Sequence, residues 1–86
     1  MITENELLTI EKRSTSGTPG PWTSFIEGRD HDSGSNFIQT GLDQEVFEID
    51  GARIEDYEFI ANAKQDVPKL IAEIRRLLNV IFTGKY

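Results

Sequence analysis

The fold turns on residues 66–82, DVPKLIAEIRRLLNVIF, where Val67, Leu70, Ile71, Ile74, Leu77, Leu78 and Ile81 recur at the three-and-four spacing of one helical face. Asp66 is suited to an N-cap, Pro68 falls in the first turn where its missing N–H costs nothing, and Gly84 follows the last apolar residue. Lys69, Glu73, Arg75, Arg76 and Asn79 occupy the other faces. This helix is the strongest core-forming segment of the chain. Its apolar tip (Leu77, Leu78, Val80, Ile81 and Phe82) is wider than a single stripe, so the spacing assigns Ile74, Leu77, Leu78 and Ile81 to a homo-oligomer interface.

Immediately upstream, Ile54 opens a second helical stretch in which Tyr57, Ile60 and Ala61 share a face, with Glu55, Asp56 and Glu58 in the first turn where the helix dipole favours acids. Pro68 disfavours the α conformation at Val67, so the expectation is two C-terminal helices meeting at Asp66, or one kinked helix. Before them lie three short β segments, Trp22–Glu27, Asn36–Thr40 and Glu45–Ile49, separated by the polar loop Gly28–Ser35 and by a turn at Gly41–Gln44. Thr3-Glu4-Asn5-Glu6 matches the capping-box pattern and predicts a short N-terminal helix from Glu4 to Arg13. Thr18-Pro19-Gly20-Pro21 ends that segment in a corner that delivers Trp22. The fold class expected is α+β: one small domain over residues 1–86, with a helix and corner over 1–21, a three-stranded antiparallel sheet over 22–52, and helices over 54–82.

Bulk properties narrow the function classes. Eighty-six residues lie near the lower size at which one core suffices, and the absence of cysteine removes disulfides and thiolate metal sites. A net charge of −6 argues against general nucleic-acid binding. The charge is uneven: residues 1–66 carry fourteen acids against five Lys/Arg, and residues 67–86 one acid against four. No secretory leader follows Met1 and the longest apolar run is too short for a bilayer, so a cytoplasmic protein without membrane association is expected.

The chemistry-bearing residues spell out no reaction. His31 is the only histidine, and a triad with Ser24, Ser33 or Ser35 and with Asp30 or Asp32 would have to arise inside one polar loop lacking any nucleophile-elbow pattern. The run Asp30 to Asn36 approaches a calcium loop, but glycine comes one place early and Gly41 stands where the bidentate glutamate belongs. The expectation is therefore no enzyme, no metal and no cofactor. A ligand site has more support. Trp22 could offer a stacking face, although a large aromatic in a small chain more often packs in the core. Arg29, His31, Ser33 and Asn36 place donors on one loop, Gly34 exposes backbone N–H groups, and Arg75 and Arg76 add planar cations. Trp22, Arg29, His31, Ser33, Asn36, Arg75 and Arg76 are thus the candidate binding residues for a small anionic, nucleotide-like ligand held between subunits.

Two segments, Thr18-Pro19-Gly20-Pro21-Trp22 and Asp56–Leu77 (DYEFIANAKQDVPKLIAEIRRL), resemble small accessory proteins of bacteriophages and prophages, the Ead-like and related sets of unknown function. The resemblance covers roughly a third of the chain and carries no established reaction. It implies a phage or prophage origin, action in the cytoplasm of an infected or lysogenic bacterial host, and specificity in the region Thr23–Ala52. By a looser analogy of class, size and acidity are similar to those of anti-defence sponges, which sequester nucleotide signals of host immunity without destroying them. The leading expectation is such sequestration. The alternative is a protein–protein module that inhibits a host bacterial protein through its acidic surface or its apolar C-terminal helix.

Overall fold

The computed structural model describes residues 2–41 and 45–84, with the backbone alone for 82 and 83; the part of the expected turn at 42–44 and the Phe82 side chain lie outside the described residues. The element order is α1 (Glu4–Thr15), β1 (Thr23–Phe25), β2 (Phe37–Gln39), β3 (Val46–Phe47) and α2 (Ile54–Thr83). The architecture is α+β, as the segment pattern predicts.

α1 begins where its capping box places it. Thr3 Oγ1 accepts from the Glu6 N–H at 3.1 Å and Glu6 Oε1 accepts from the Thr3 N–H at 3.2 Å, which satisfies two otherwise orphaned donors. The helix runs two residues beyond the expected Arg13, to Thr15, and Lys12 and Arg13 in its last turn complement the dipole. The three strands pair antiparallel in the order β1-β2-β3, with Ser24 opposite Ile38 and Ile38 opposite Phe47. Each is shorter than its apolar run because the flanking backbone turns away into loops.

The core sits between the sheet and the first half of α2. Ile26, Ile38, Tyr57 and Ala61 are buried, with Trp22, Phe47, Ile49, Ala52 and Ile60 packed around them. Tyr57 Oη ties the post-β3 segment to the helix by accepting the Ile49 N–H at 2.8 Å and donating to the Ile49 carbonyl at 3.2 Å. A smaller apolar contact joins the two helices, where Leu7 of α1 and Ile71 of α2 are each at most 3% exposed.

α2 is one helix of 30 residues with Pro68 inside it, not two helices meeting at Asp66. Proline removes one donor and so frees the Lys64 carbonyl from the ladder, which ordinarily ends or bends a helix. Here α1 spans the weak point. Lys64 Nζ donates to the Ser14 carbonyl at 3.0 Å before the proline, and Arg75 Nη1 meets Glu11 Oε2 at 2.6 Å beyond it. The continuous helix makes the molecule elongated, 53 × 22 × 22 Å. Among the described residues no helix is long and apolar enough to cross a membrane.

Candidate functional site

The corner Thr18–Trp22 folds onto the middle of α2. Gly20-Pro21 is a cis peptide. Gln65 clamps Trp22 from both sides: its Oε1 accepts the Trp22 N–H at 2.8 Å and its Nε2 donates to the Trp22 carbonyl at 3.1 Å. Gly41 closes the other flank, and here only glycine fits, because a Cβ would stand 2.2 Å from the Gly20 carbonyl oxygen. The Trp22 indole is built into this junction. Its Nε1–H is shared between the Thr18 and Pro19 carbonyls at 3.2 Å each, its ring meets Phe47 edge-on at 5.4 Å, and Lys64 Nζ lies 5.0 Å from its centroid. Trp22 serves the core in the folded chain.

The loop carrying Arg29, His31, Ser33 and Asn36 follows β1 and leads into β2. Asp30 Oδ2 accepts the Ile26 N–H at 2.8 Å, and Asn36 Oδ1 accepts the Glu27 N–H at 2.8 Å, so two side chains replace the ladder partners that the strand loses at its end. Glu27 turns back into the loop, where its carboxylate accepts the Gly34 N–H at 2.7 Å and lies 3.5 Å from His31 Nδ1. The anion position offered by the Gly34 amide is thus filled by the chain's own glutamate.

His31 is partly buried beside the Phe37 ring, centroids 4.8 Å apart. Its Nδ1 accepts the Ser33 N–H at 3.0 Å and lies 2.6 Å from Ser33 Oγ. With Nδ1 an acceptor, the neutral ring carries its proton on Nε2, which is buried with no hydrogen-bond partner. Serine and carboxylate therefore approach the same ring nitrogen. A relay needs them on opposite nitrogens, so this trio does not have triad geometry.

The arginines are also engaged. Arg29 is held by Asp30 at 2.7 Å and by Glu58 of α2 at 2.6 Å. The hydrogen bond to Asp30, followed by that to Glu58, holds the Arg29 guanidinium above its ordinary pKa. Arg29 in turn, with the Ile26 amide, holds Asp30 below the usual carboxylate range. Arg75 is paired with Glu11 and, at 3.5 Å, with Glu4, and Arg76 with Glu73 on its own helix. These pairs raise both arginines and lower Glu11 and Glu73. Glu58, which anchors the loop, and Arg75 are seventeen residues apart on α2, roughly 25 Å along its axis. The loop donors come together; Arg75 and Arg76 do not join them within one chain, because α2 continues through Pro68 as one helix and carries them away along its axis.

Sequence reasoning passed over a cleft of about 450 Å³ between the start of β2, the segment after β3 and the first turns of α2, lined among others by Ser35, Asn36, Glu48, Asp50 and Tyr57. Glu48 and Asp50 are exposed there; Ser35 Oγ donates to Glu48 at 2.7 Å, and among the described residues neither Glu48 nor Asp50 has a cationic partner. The signal in the sequence was the acid excess over residues 45–58, which has only Arg53 against it. Among the described residues, no group of three or more His, Cys, Asp or Glu side chains comes together as a cation site.

Of the expected interface residues, Leu77 and Ile81 are 46% and 74% exposed and Ile74 is half-buried. Leu78 is half-buried on a different face, the one that carries Ile71 and Arg75 and meets α1. No protein-family model matches the chain, and no curated protein or solved structure matches it.

Proposed function

We propose that this chain is a non-catalytic accessory protein, of phage or prophage kind on the resemblance of its corner and α2 segments, that acts in the host cytoplasm by binding a basic surface of a bacterial protein. One observation carries the reading. The arginines that would hold an anion already face internal carboxylates, whereas Glu48 and Asp50 flank an open cleft and, among the described residues, form no ion pair. A surface of this sign attracts lysine- and arginine-rich partners, including surfaces shaped for nucleic acid, and steers their approach.

The test is capture from host lysate with the wild-type chain and with Glu48→Lys/Asp50→Lys. Both residues are exposed, so the fold should survive, which circular dichroism checks. Specific retention that disappears in the double variant and falls with salt supports the reading. Retention indifferent to both sinks it.

Sequestration of a small nucleotide-derived signal is the second reading, favoured by the clustering of Arg29, His31, Ser33 and Asn36 in one loop. An incoming phosphate must displace Glu27 and Asp30 from those donors. Native mass spectrometry of protein purified from infected cells distinguishes the two, since sequestration leaves an intact small ligand on the protein.

A further inference from the structure

α2 is a continuous helix, and its exposed apolar residues fall into a repeat that is not apparent while a break at Pro68 is expected. With Ile60 taken as position a, the a positions are Ile60, Val67, Ile74 and Ile81 and the d positions are Ala63, Leu70 and Leu77. Spacings of three and four alternate without a slip through three heptads, about 32 Å of helix. Ile60 belongs to the core at the base of α2. Beyond it the repeat is open to solvent: Leu70, Leu77 and Ile81 are 61%, 46% and 74% exposed, and Ala63, Val67 and Ile74 are partly exposed.

We propose that this stripe is the seam of a parallel two-stranded coiled coil between two copies of the chain. The occupant follows from the residue types. An a column that is β-branched throughout (Val67, Ile74, Ile81) beside a d column of leucine at Leu70 and Leu77 favours two strands in parallel order, because β-branched knobs pack well at a and leucine at d in that geometry. The flanks agree. Positions e (Ile71 and Leu78) lie toward α1, with Ile71 buried, while positions g beside the seam include Asp66 and Glu73. An antiparallel order would set the g acids of the two chains beside each other along one edge, whereas in parallel order g faces the partner's e column (Lys64, Ile71 and Leu78), which carries no acid. The face opposite the seam carries Ala72, Arg76 and Asn79 and lacks large apolar residues. The sheet and α1 leave the stripe uncovered, so two chains can meet without unfolding either.

Parallel order brings both acidic bases to the same end. Their repulsion is screened beyond about 8 Å at physiological salt, so the pair tightens as salt is added. The inference is independent of the acidic-cleft reading, because Glu48 and Asp50 lie on the sheet side of the base and not on the seam.

The experiment combines sedimentation equilibrium with single-cysteine cross-linking, which the absence of native cysteine makes unambiguous. The wild-type chain should sediment as a monomer–dimer system at tens of micromolar. Leu70→Lys/Leu77→Lys should be monomeric, with the helix content and thermal transition of the wild-type chain diluted to its monomer, since both sites are exposed in the single chain. Ala72→Lys, on the opposite side of the helix, should leave the dimer unchanged. Under copper-catalysed oxidation Ile81→Cys should form a disulfide-linked dimer, because equivalent residues meet across a parallel axis. A wild-type chain that stays monomeric, a dimer that survives the double lysine variant, or an Ile81→Cys chain that fails to cross-link overturns the proposal.

Discussion

The two halves of α2 have similar apolar content and opposite fates. Ile54–Gln65 lies against the sheet, where Tyr57 and Ala61 are buried and Gln65 clamps Trp22. Asp66–Thr83 leans on α1, with Ile71 buried and Leu70, Leu77 and Ile81 open. Periodicity cannot separate these cases, because it reports that a face is apolar and not what covers it. The difference teaches that a helix can be fixed by its base and still leave an apolar surface free for another chain.

The sharpest way to break that contrast is to remove core volume at the base. Ile38→Ala, at a position with 0% exposure, should cost about 3 kcal/mol by urea denaturation, a large share of what so small a fold holds. A loss under about 1 kcal/mol would mean that the sheet is not the centre of stability. Gln65→Ala should come next, at about 2 kcal/mol. It leaves the Trp22 N–H without its partner at the junction of the two halves, and a red shift of tryptophan fluorescence should accompany the loss.

Acid should loosen the distal half through Glu11. Glu11 is held below the ordinary glutamate range by its hydrogen bond to Arg75. The folded pKa is depressed, so the pair's stabilisation is present above the ordinary pKa and is lost as pH falls through the folded one. Fraying of α1 from α2 should therefore begin below about pH 4, followed by amide exchange of α1, and Glu11→Gln should remove that dependence. The effect is small because both groups are largely exposed. Smallest of all, Leu70→Ser measured at a concentration where the chain is monomeric should change stability by less than about 0.5 kcal/mol. A larger loss there would mean that Leu70 is covered within one chain, and the contrast between the halves would fail.

Much of the fold was legible in local pattern. The Thr3–Glu6 capping box, the three β segments and the start of α2 at Ile54 stand where turn chemistry and periodicity put them. The candidate site was less so. Residue types identify Arg29, His31, Arg75 and Arg76 as donors, but whether a donor is free depends on which carboxylate the chain folds beside it. Glu58 reaches Arg29 from α2, Glu11 reaches Arg75 from α1, and Glu27 returns to the Gly34 amide, pairings set by contacts far apart in sequence or by the curl of a loop. Trp22 likewise went from candidate platform to packed junction because Gln65, Phe47 and Lys64 converge on it.

By itself the sequence determined the element types, the α+β class and the three-and-four apolar spacing of the final helix, because these follow from side-chain period, caps and turns acting over a few residues. Tertiary structure alone decided the continuity of α2 and the covering of its faces. The helix passes Pro68 because α1 holds Lys64 on one side and Arg75 on the other, which offsets a missing backbone hydrogen bond that local preference would have resolved as a break.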